Sequence, residues 1–255
     1  MKIATFNCNS IRSRLDVILA WLEKNQPDVL CLQETKVQDS EFPREPIERA
    51  GWHVVFRGQK SYNGVALISR KPLTDVSFGL DSAPSDEARL ACARLGNITI
   101  VNTYVPQGRA LDHAMYPYKL KWFRRLRRWF DRHFGPDDLV VWTGDLNVAA
   151  TAIDVHHPEQ HENHVCYHID VRKAFAACCA RGFVDVFRKH HPEPGQFTFF
   201  DYRTVNAVKR GLGWRVDYIL ASRALAAKSV DAHIDLAPRL GPKPSDHTFL
   251  AAEFS

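Results

Sequence analysis

The chain has 255 residues, 45% of them hydrophobic, and a formal net charge of +5 at pH 7. It can bury a large core, but no apolar run is long enough to span a bilayer, and residues 1–6 open a strand instead of a basic, apolar leader. Six cysteines without any CxxC spacing read as buried thiols of a reducing compartment, so the expectation is a soluble cytoplasmic protein without disulfides.

In chain order, Ile3-Ala4-Thr5-Phe6 is a short apolar run that delivers Asn7. A helix is expected over 15–24, stopped by Gln26-Pro27-Asp28, and Val29-Leu30-Cys31-Leu32 then delivers Gln33 and Glu34. Strands over 52–56 and 64–69 flank a polar loop at 58–63. Strands over 91–95 and 98–101 are joined by Gly96-Asn97 as a two-residue turn, and the second runs on into Asn102 and Tyr104. The densest basic stretch, 119–130, places Leu120, Phe123, Leu126 and Phe130 near one face of a helix over 118–134. It reads as an amphipathic helix packed on a sheet with its basic side in water, with gripping of DNA as the lesser alternative.

The run Leu139-Val140-Val141-Trp142-Thr143-Gly144-Asp145-Leu146-Asn147 is the most informative stretch. An apolar strand ends there in an acid and an amide one residue apart, and both turn to one side if the extended conformation continues. An Asx-type turn that only caps backbone groups fits the same residues. Further on, a helix over 171–181 is capped by Gly182, and Asp217 interrupts an apolar strand pattern around 215–220. Pro244-Ser245-Asp246-His247 precedes the apolar Phe249-Leu250-Ala251-Ala252.

Strands therefore end repeatedly in ligand-type residues, and a charge beside a core strand costs several kcal/mol unless it is paired or metal-bound. The expected outcome is one polar cluster at one edge of stacked sheets. It would be built from both ends of the chain, within a single domain over 1–255. Convergence of Asn7, Glu34, Asp145, Asn147 and Asp246 would make an oxygen-rich pocket suited to Mg²⁺ or Mn²⁺. Asp145 would then position or deprotonate a water for in-line attack on a phosphodiester, with Asn147 and His247 as donors to the phosphoryl oxygens. Asp217 is the candidate orienting partner of His247, with pairing to Arg215 as its alternative. The segment 154–170 carries His156, His157, His161, His164, Cys166 and His168 but lacks a zinc-site framework. It is expected to form a loop or short helix near the substrate groove.

With those residues assembled, the chain resembles the exonuclease III family of AP endonucleases, in the deoxyribonuclease I-like metal-dependent phosphoesterase superfamily. The resemblance runs in order through Phe6-Asn7, Leu32-Gln33-Glu34-Thr35-Lys36, Asn63-Gly64-Val65-Ala66, Tyr104-Val105-Pro106-Gln107-Gly108, Gly144-Asp145-Leu146-Asn147, Phe200-Asp201-Tyr202-Arg203, Gly213-Trp214-Arg215-Val216-Asp217-Tyr218 and Ser245-Asp246-His247. It implies an α/β fold: a four-layered α/β sandwich with two central mixed β-sheets flanked by helices.

By the same resemblance, Glu34 is the principal metal ligand with Asn7 and Asp246, and Asp145, Asn147 and His247 complete the metal-site set. Asp145 also activates water, Asn147 supports the transition state, His247 and Asp217 form a dyad, and Tyr104 assists. Phe199, Trp214 and Val216 fall on the pocket that accepts a flipped-out abasic sugar, with plain core packing as the alternative for the two rings. Some bacterial relatives carry Trp where this chain has Phe199, a smaller ring that would alter the pocket floor. Arg12, Lys36, Gln107 and Arg172 are expected to meet DNA.

The implied activity is that of a Mg²⁺-dependent repair nuclease, a monomer. It would cut 5′ to abasic sites and trim 3′ ends of double-stranded DNA bearing abasic sites, nicks or recessed 3′ ends. A bulky His164 at the groove would favour 3′-end trimming over cleavage at internal abasic sites. The alternatives are an inositol or sphingolipid phosphoesterase of the same superfamily, or a DNA-binding relative that has lost catalysis.

Overall fold

A computed structural model describes residues 1–80 and 88–255. Twelve strands among these residues form two six-stranded sheets. The first holds β1 (Lys2–Asn7), β2 (Val29–Gln33), β3 (His53–Arg57), β4 (Val65–Ser69), β11 (Ser229–Asp235) and β12 (Phe249–Phe254), in the order β11-β12-β1-β2-β4-β3. The second holds β5 (Thr74–Phe78), β6 (Leu90–Leu95), β7 (Ile98–Tyr104), β8 (Val140–Asp145), β9 (Phe183–Asp185) and β10 (Asp217–Ser222), in the order β5-β6-β7-β8-β10-β9.

The two sheets share one plan. Each has a central parallel pair, β1 with β2 and β7 with β8, and antiparallel neighbours on both sides. A parallel pair needs a crossover connection. The helix α1 (Ile11–Asn25) supplies it in the first sheet. The second helix, α2 (Arg44–Arg49), is a short element before β3. The crossover between β7 and β8 is α3 (Met115–His133), and α4 (Ile169–Cys179) packs beside it.

Period-two alternation sorts the strand residues into layers. Ile3, Val29, Cys31, Val141 and Ile219 face the other sheet in a common core, whereas Ala4, Phe6, Leu30 and Leu32 face α1. Val140 and Trp142 face α3, whose Trp122, Phe123, Leu126, Trp129 and Phe130 are all buried. Each such side chain contributes about 1.5–3 kcal/mol by leaving water. The result is the expected α/β/β/α sandwich.

Several expectations need correction. The basic side of α3 is not wholly in water, because Lys119 is fully buried and Arg125 nearly so. Strand β7 continues to Tyr104, α1 starts at Ile11, and α3 starts at Met115 because Pro117 is tolerated within a first turn. Helix α4 is capped by Ala180, with the left-handed Gly182 two residues further on. Strands β5, β9 and β11 were not foreseen; β5 is an exposed edge strand with no apolar pattern to announce it.

Candidate active site

The carboxyl ends of both parallel pairs lie at one edge of the sandwich, the place where open α/β sheets leave a crevice. Asn7 ends β1, Glu34 follows β2, Tyr104 ends β7 and Asp145 ends β8. Register aligns them further: Tyr104 and Asp217 both lie opposite Asp145, one on each neighbouring strand. Gly144 permits this, since at φ +128 its missing Cβ would overlap the carbonyl oxygen of Thr103.

These ends open into a cavity of about 440 Å³. Its lining includes Glu34, Tyr104, Gln107, Asp145, Asn147, Phe199, Trp214, Val216, Asp246 and His247 from the predicted set. Asn7 and Asp217 are completely buried behind the lining. Asn7 Nδ2 donates to Glu34 Oε1 and to Asp145 Oδ2, each at 2.8 Å, and so ties the two sheets together. Beneath them Gln33 donates to Thr5 Oγ1 and, at 2.7 Å, to Asn102 Oδ1. Gln33 and Asn102 thus bridge the sheets under the floor of the cavity.

His247 Nδ1 donates to Asp217 Oδ2 at 2.8 Å, and its Nε2 lies 3.8 Å from Asp145 Oδ2. Arg215 does not compete for Asp217. Its buried guanidinium pairs with Asp154 and Asp185, each at 2.7 Å. Burial pushes the His247 pKa down, but Asp217 and Asp145 outweigh it and lift it to about 10, so the ring is an imidazolium at neutral pH. Burial raises Asp145 above the usual carboxylate range, His247 opposes this, and Asp217 and Glu34 add to it. Burial also lifts the Tyr104 phenol far above its ordinary value, reinforced by Glu34 and Asp145, so it stays a neutral donor.

The Asp145–Asn147 pair takes the geometry of its Asx-turn reading. The chain does not stay extended: Asn147 is left-handed at φ +50, and its N–H donates to Asp145 Oδ1 at 2.9 Å, as in an Asx turn. The Asn147 amide donates to Val105 O at 3.0 Å and to Asp145 Oδ2 at 3.2 Å, while its Oδ1 receives the Cys166 thiol at 3.8 Å. Asn147 therefore lines the cavity with its polar atoms already engaged.

A residue that the sequence reading missed holds this turn in place. Lys119 Nζ donates to the carbonyls of Gln107 at 3.0 Å, Asn147 at 2.6 Å and Val165 at 2.9 Å, which joins three loops around one ammonium. Burial lowers its pKa. The signal was present in α3, where Lys119 falls on the buried stripe of Tyr116, Trp122, Phe123 and Leu126.

Of the expected DNA-contact residues, only Gln107 lines the cavity. Lys36 pairs with Glu34 Oε2 at 2.8 Å, Arg12 with Glu41 at 3.3 Å on the surface, and the Arg172 guanidinium sits 4.5 Å from the Tyr167 ring centre. Asp246 Oδ1 accepts from Asn9 Nδ2 at 2.9 Å. The histidine segment forms 3₁₀ turns at Ala152–Asp154 and Pro158–Gln160 and borders the cavity, as expected. His164 and His161 pack on the Trp214 ring at 4.5 and 4.8 Å between centres. Desolvation there keeps both below the ordinary histidine value, although His164 retains much exposed surface.

A metal ion fits the acidic side of this cavity. Among the described residues, ligand atoms of Asp145, Asp217 and His247 lie within 4.8 Å of one another. Asp217 Oδ1 is buried with no hydrogen-bond partner, and Glu34 and Asp246 add further oxygens to the lining.

The model of the Endonuclease/Exonuclease/phosphatase family matches residues 4–247. The chain belongs to that family. It is 33% identical over 267 residues to exodeoxyribonuclease III of Haemophilus influenzae, covering all of both proteins. It is 31% identical to an exodeoxyribonuclease of Bacillus subtilis, with 92% of this chain and 93% of that protein covered. Among solved structures it superposes on an AP endonuclease from Archaeoglobus fulgidus with a TM-score of 0.98 and 51% identity, over 100% of this chain and 99% of the other. A 3′ phosphatase from Neisseria, bound to a product DNA hairpin, gives 0.95 and 38% over the same shares. As a member of the Endonuclease/Exonuclease/phosphatase family, the chain is a nuclease-class hydrolase, and the resemblance to exonuclease III holds along its length.

Proposed function

We propose that this chain is a DNA-repair nuclease that hydrolyses the phosphodiester 5′ to abasic sites and removes nucleotides or blocking groups from 3′ ends. The observation that carries this is the Asp145–His247–Asp217 cluster set between the ends of two parallel strand pairs, in a cavity walled by Phe199, Trp214 and Val216. Relatives named exodeoxyribonuclease III and AP endonuclease support the substrate class.

In this reading Asp145, held by Asn7 and by the Asn147 turn, orients the attacking water and accepts its proton. His247, charged and fixed by Asp217, donates to a non-bridging phosphoryl oxygen as negative charge grows there. The neutral Tyr104 phenol supplies a further donor. Asn147 acts chiefly by fixing Asp145, since its own amide protons are engaged. Glu34, Asp145 and Asp246, with the Asn7 carboxamide oxygen, are the groups that would hold the metal, while the charged His247 ring stays with Asp217, and this all-oxygen set favours Mg²⁺, with Mn²⁺ as a substitute. Such an ion polarises the phosphoryl oxygen and lowers the pKa of bound water. The aromatic wall accepts a sugar without its base, whose extrusion costs least. Arg12, Lys36, Gln107 and Arg172 are proposed to meet the backbone of double-stranded DNA, with Lys36 leaving Glu34 to do so.

The reading takes a cytoplasmic monomer as the working unit. Among the described residues no helix is long and apolar enough to cross a membrane. The test is incubation with a labelled abasic duplex and a recessed 3′ duplex, in Mg²⁺, Mn²⁺ or chelator. Cleavage of both substrates that stops with chelator is expected. Cleavage indifferent to chelator, or hydrolysis of an inositol phosphate in place of DNA, overturns the reading.

A further inference from the structure

The segment 154–170 carries five histidines and one cysteine, and four of these six have a ligating atom engaged elsewhere. The Cys166 thiol lies between Lys119 Nζ and Asn147 Oδ1, and His164 Nδ1 accepts the Cys166 N–H at 3.2 Å. His168 Nδ1 is shared by the Tyr116 hydroxyl and the Asp170 N–H, and His157 faces Glu159. His156 and His161 remain, and they face each other with Nε2 atoms 3.3 Å apart.

That separation has a second meaning besides a hydrogen bond between rings. Two imidazole nitrogens each about 2.0–2.1 Å from a tetrahedral ion lie about 3.3–3.4 Å apart. His156 Nδ1 donates to the Gly213 carbonyl at 3.0 Å, which leaves Nε2 as the bare lone pair. A backbone carbonyl on the far nitrogen is the usual support of a ligating histidine. Both residues are half-buried and line the cavity, so the remaining coordination positions open to water. Among the described residues no carboxylate completes a three-ligand group with the pair, which disfavours Mg²⁺ and selects an ion with affinity for imidazole.

We propose that His156 and His161 form a two-ligand site for a transition-metal ion such as Cu²⁺, Ni²⁺ or Zn²⁺, sharing no ligand with the Asp145–Asp217–His247 cluster. Such an ion ties the turn Pro158–Gln160 to the Gly213–Trp214 segment and so stiffens one wall of the cavity. The Trp214 indole lies 4.8 Å from the His161 ring and 6.0 Å from the His156 ring, close enough to report occupancy.

The test is a Cu²⁺ titration of the full chain in saturating Mg²⁺, followed by calorimetry and by tryptophan emission. One equivalent is expected to bind with quenching of the emission. His156→Gln and His161→Gln should each weaken binding by on the order of tenfold or more, with melting curves confirming that the variants fold. Trp214→Phe should keep the stoichiometry while losing most of the quench. Cu²⁺ binding of equal strength in the wild type and in both histidine variants overturns the proposal. So does an equivalent lost in His247→Gln but kept in both.

Discussion

The two walls of the cavity are built differently. One is made of strand ends, with Asn7, Glu34, Tyr104, Asp145 and Asp217 fixed by sheet register and joined by hydrogen bonds between the sheets. The other is made of connections, with His156, His161 and His164 laid over Trp214 and with Phe199 against His247. The first wall has charges whose positions are dictated by the fold. The second has rings whose positions depend on loop packing. Reactivity and fit are thereby separable, because loop side chains can change without moving a strand end.

If that division holds, Asp145→Asn removes cleavage of abasic and recessed duplexes alike, by on the order of 10³-fold or more in kcat. Survival of one activity in that variant would assign it to a second site. Next in size, Asp217→Asn should lower kcat by about 10²-fold by freeing the His247 ring, the lower end of what a positioned acid–base group contributes. The same variant has a signature in stability. The His247 pKa is raised from 6.5 to about 10 in the fold, so its contribution is complete below about 6.5 and is lost as pH rises through about 10. The stability gap between wild type and Asp217→Asn, measured by denaturant melts, should therefore narrow between pH 7 and pH 10.

Lys119→Met tests whether the walls are coupled at their shared loops. Three carbonyls would lose their donor, so a loss of about 2–3 kcal/mol in stability is expected, with kcat falling by roughly tenfold through the Asn147 turn. An unchanged kcat in the folded variant would leave Lys119 with stability alone. The smallest effect belongs to the ring wall. His164→Gly should raise cleavage at internal abasic sites relative to 3′-end trimming by roughly tenfold, as opening a pocket commonly does. An unmoved ratio would remove His164 from control of the substrate.

The acidic wall was legible in the sequence because short apolar strands each end in a polar residue, and that pattern survives translation into sheets. Asn7, Glu34 and Asp145 converge for this reason, and His247 arrives just before β12, whose start lies beside the end of β1. What could not be read were facts that depend on which loop meets which. Asn147 looked like a free donor, yet the left-handed turn aims its amide at Val105 and Asp145. Lys36, expected at DNA, pairs with Glu34 in the structure, a contact that no local pattern announces. The basic face of α3 looked solvated throughout, because a run of lysines and arginines hides the one ammonium that points inward. Edge strands such as β5 carry no apolar alternation, so neighbouring chain alone reveals them.

The Ser245 Oγ bond to the Asn7 carbonyl spans 238 positions of sequence, and the Asn7 bond to Asp145 spans 138. Contacts of such separation close slowly, after local helices have formed. A chain still being synthesised therefore carries its helices long before it carries the Asp246–His247 corner, and in that interval the cluster at the sheet edge is incomplete. On refolding from denaturant, recovery of phosphodiester cleavage should trail recovery of the helical signal.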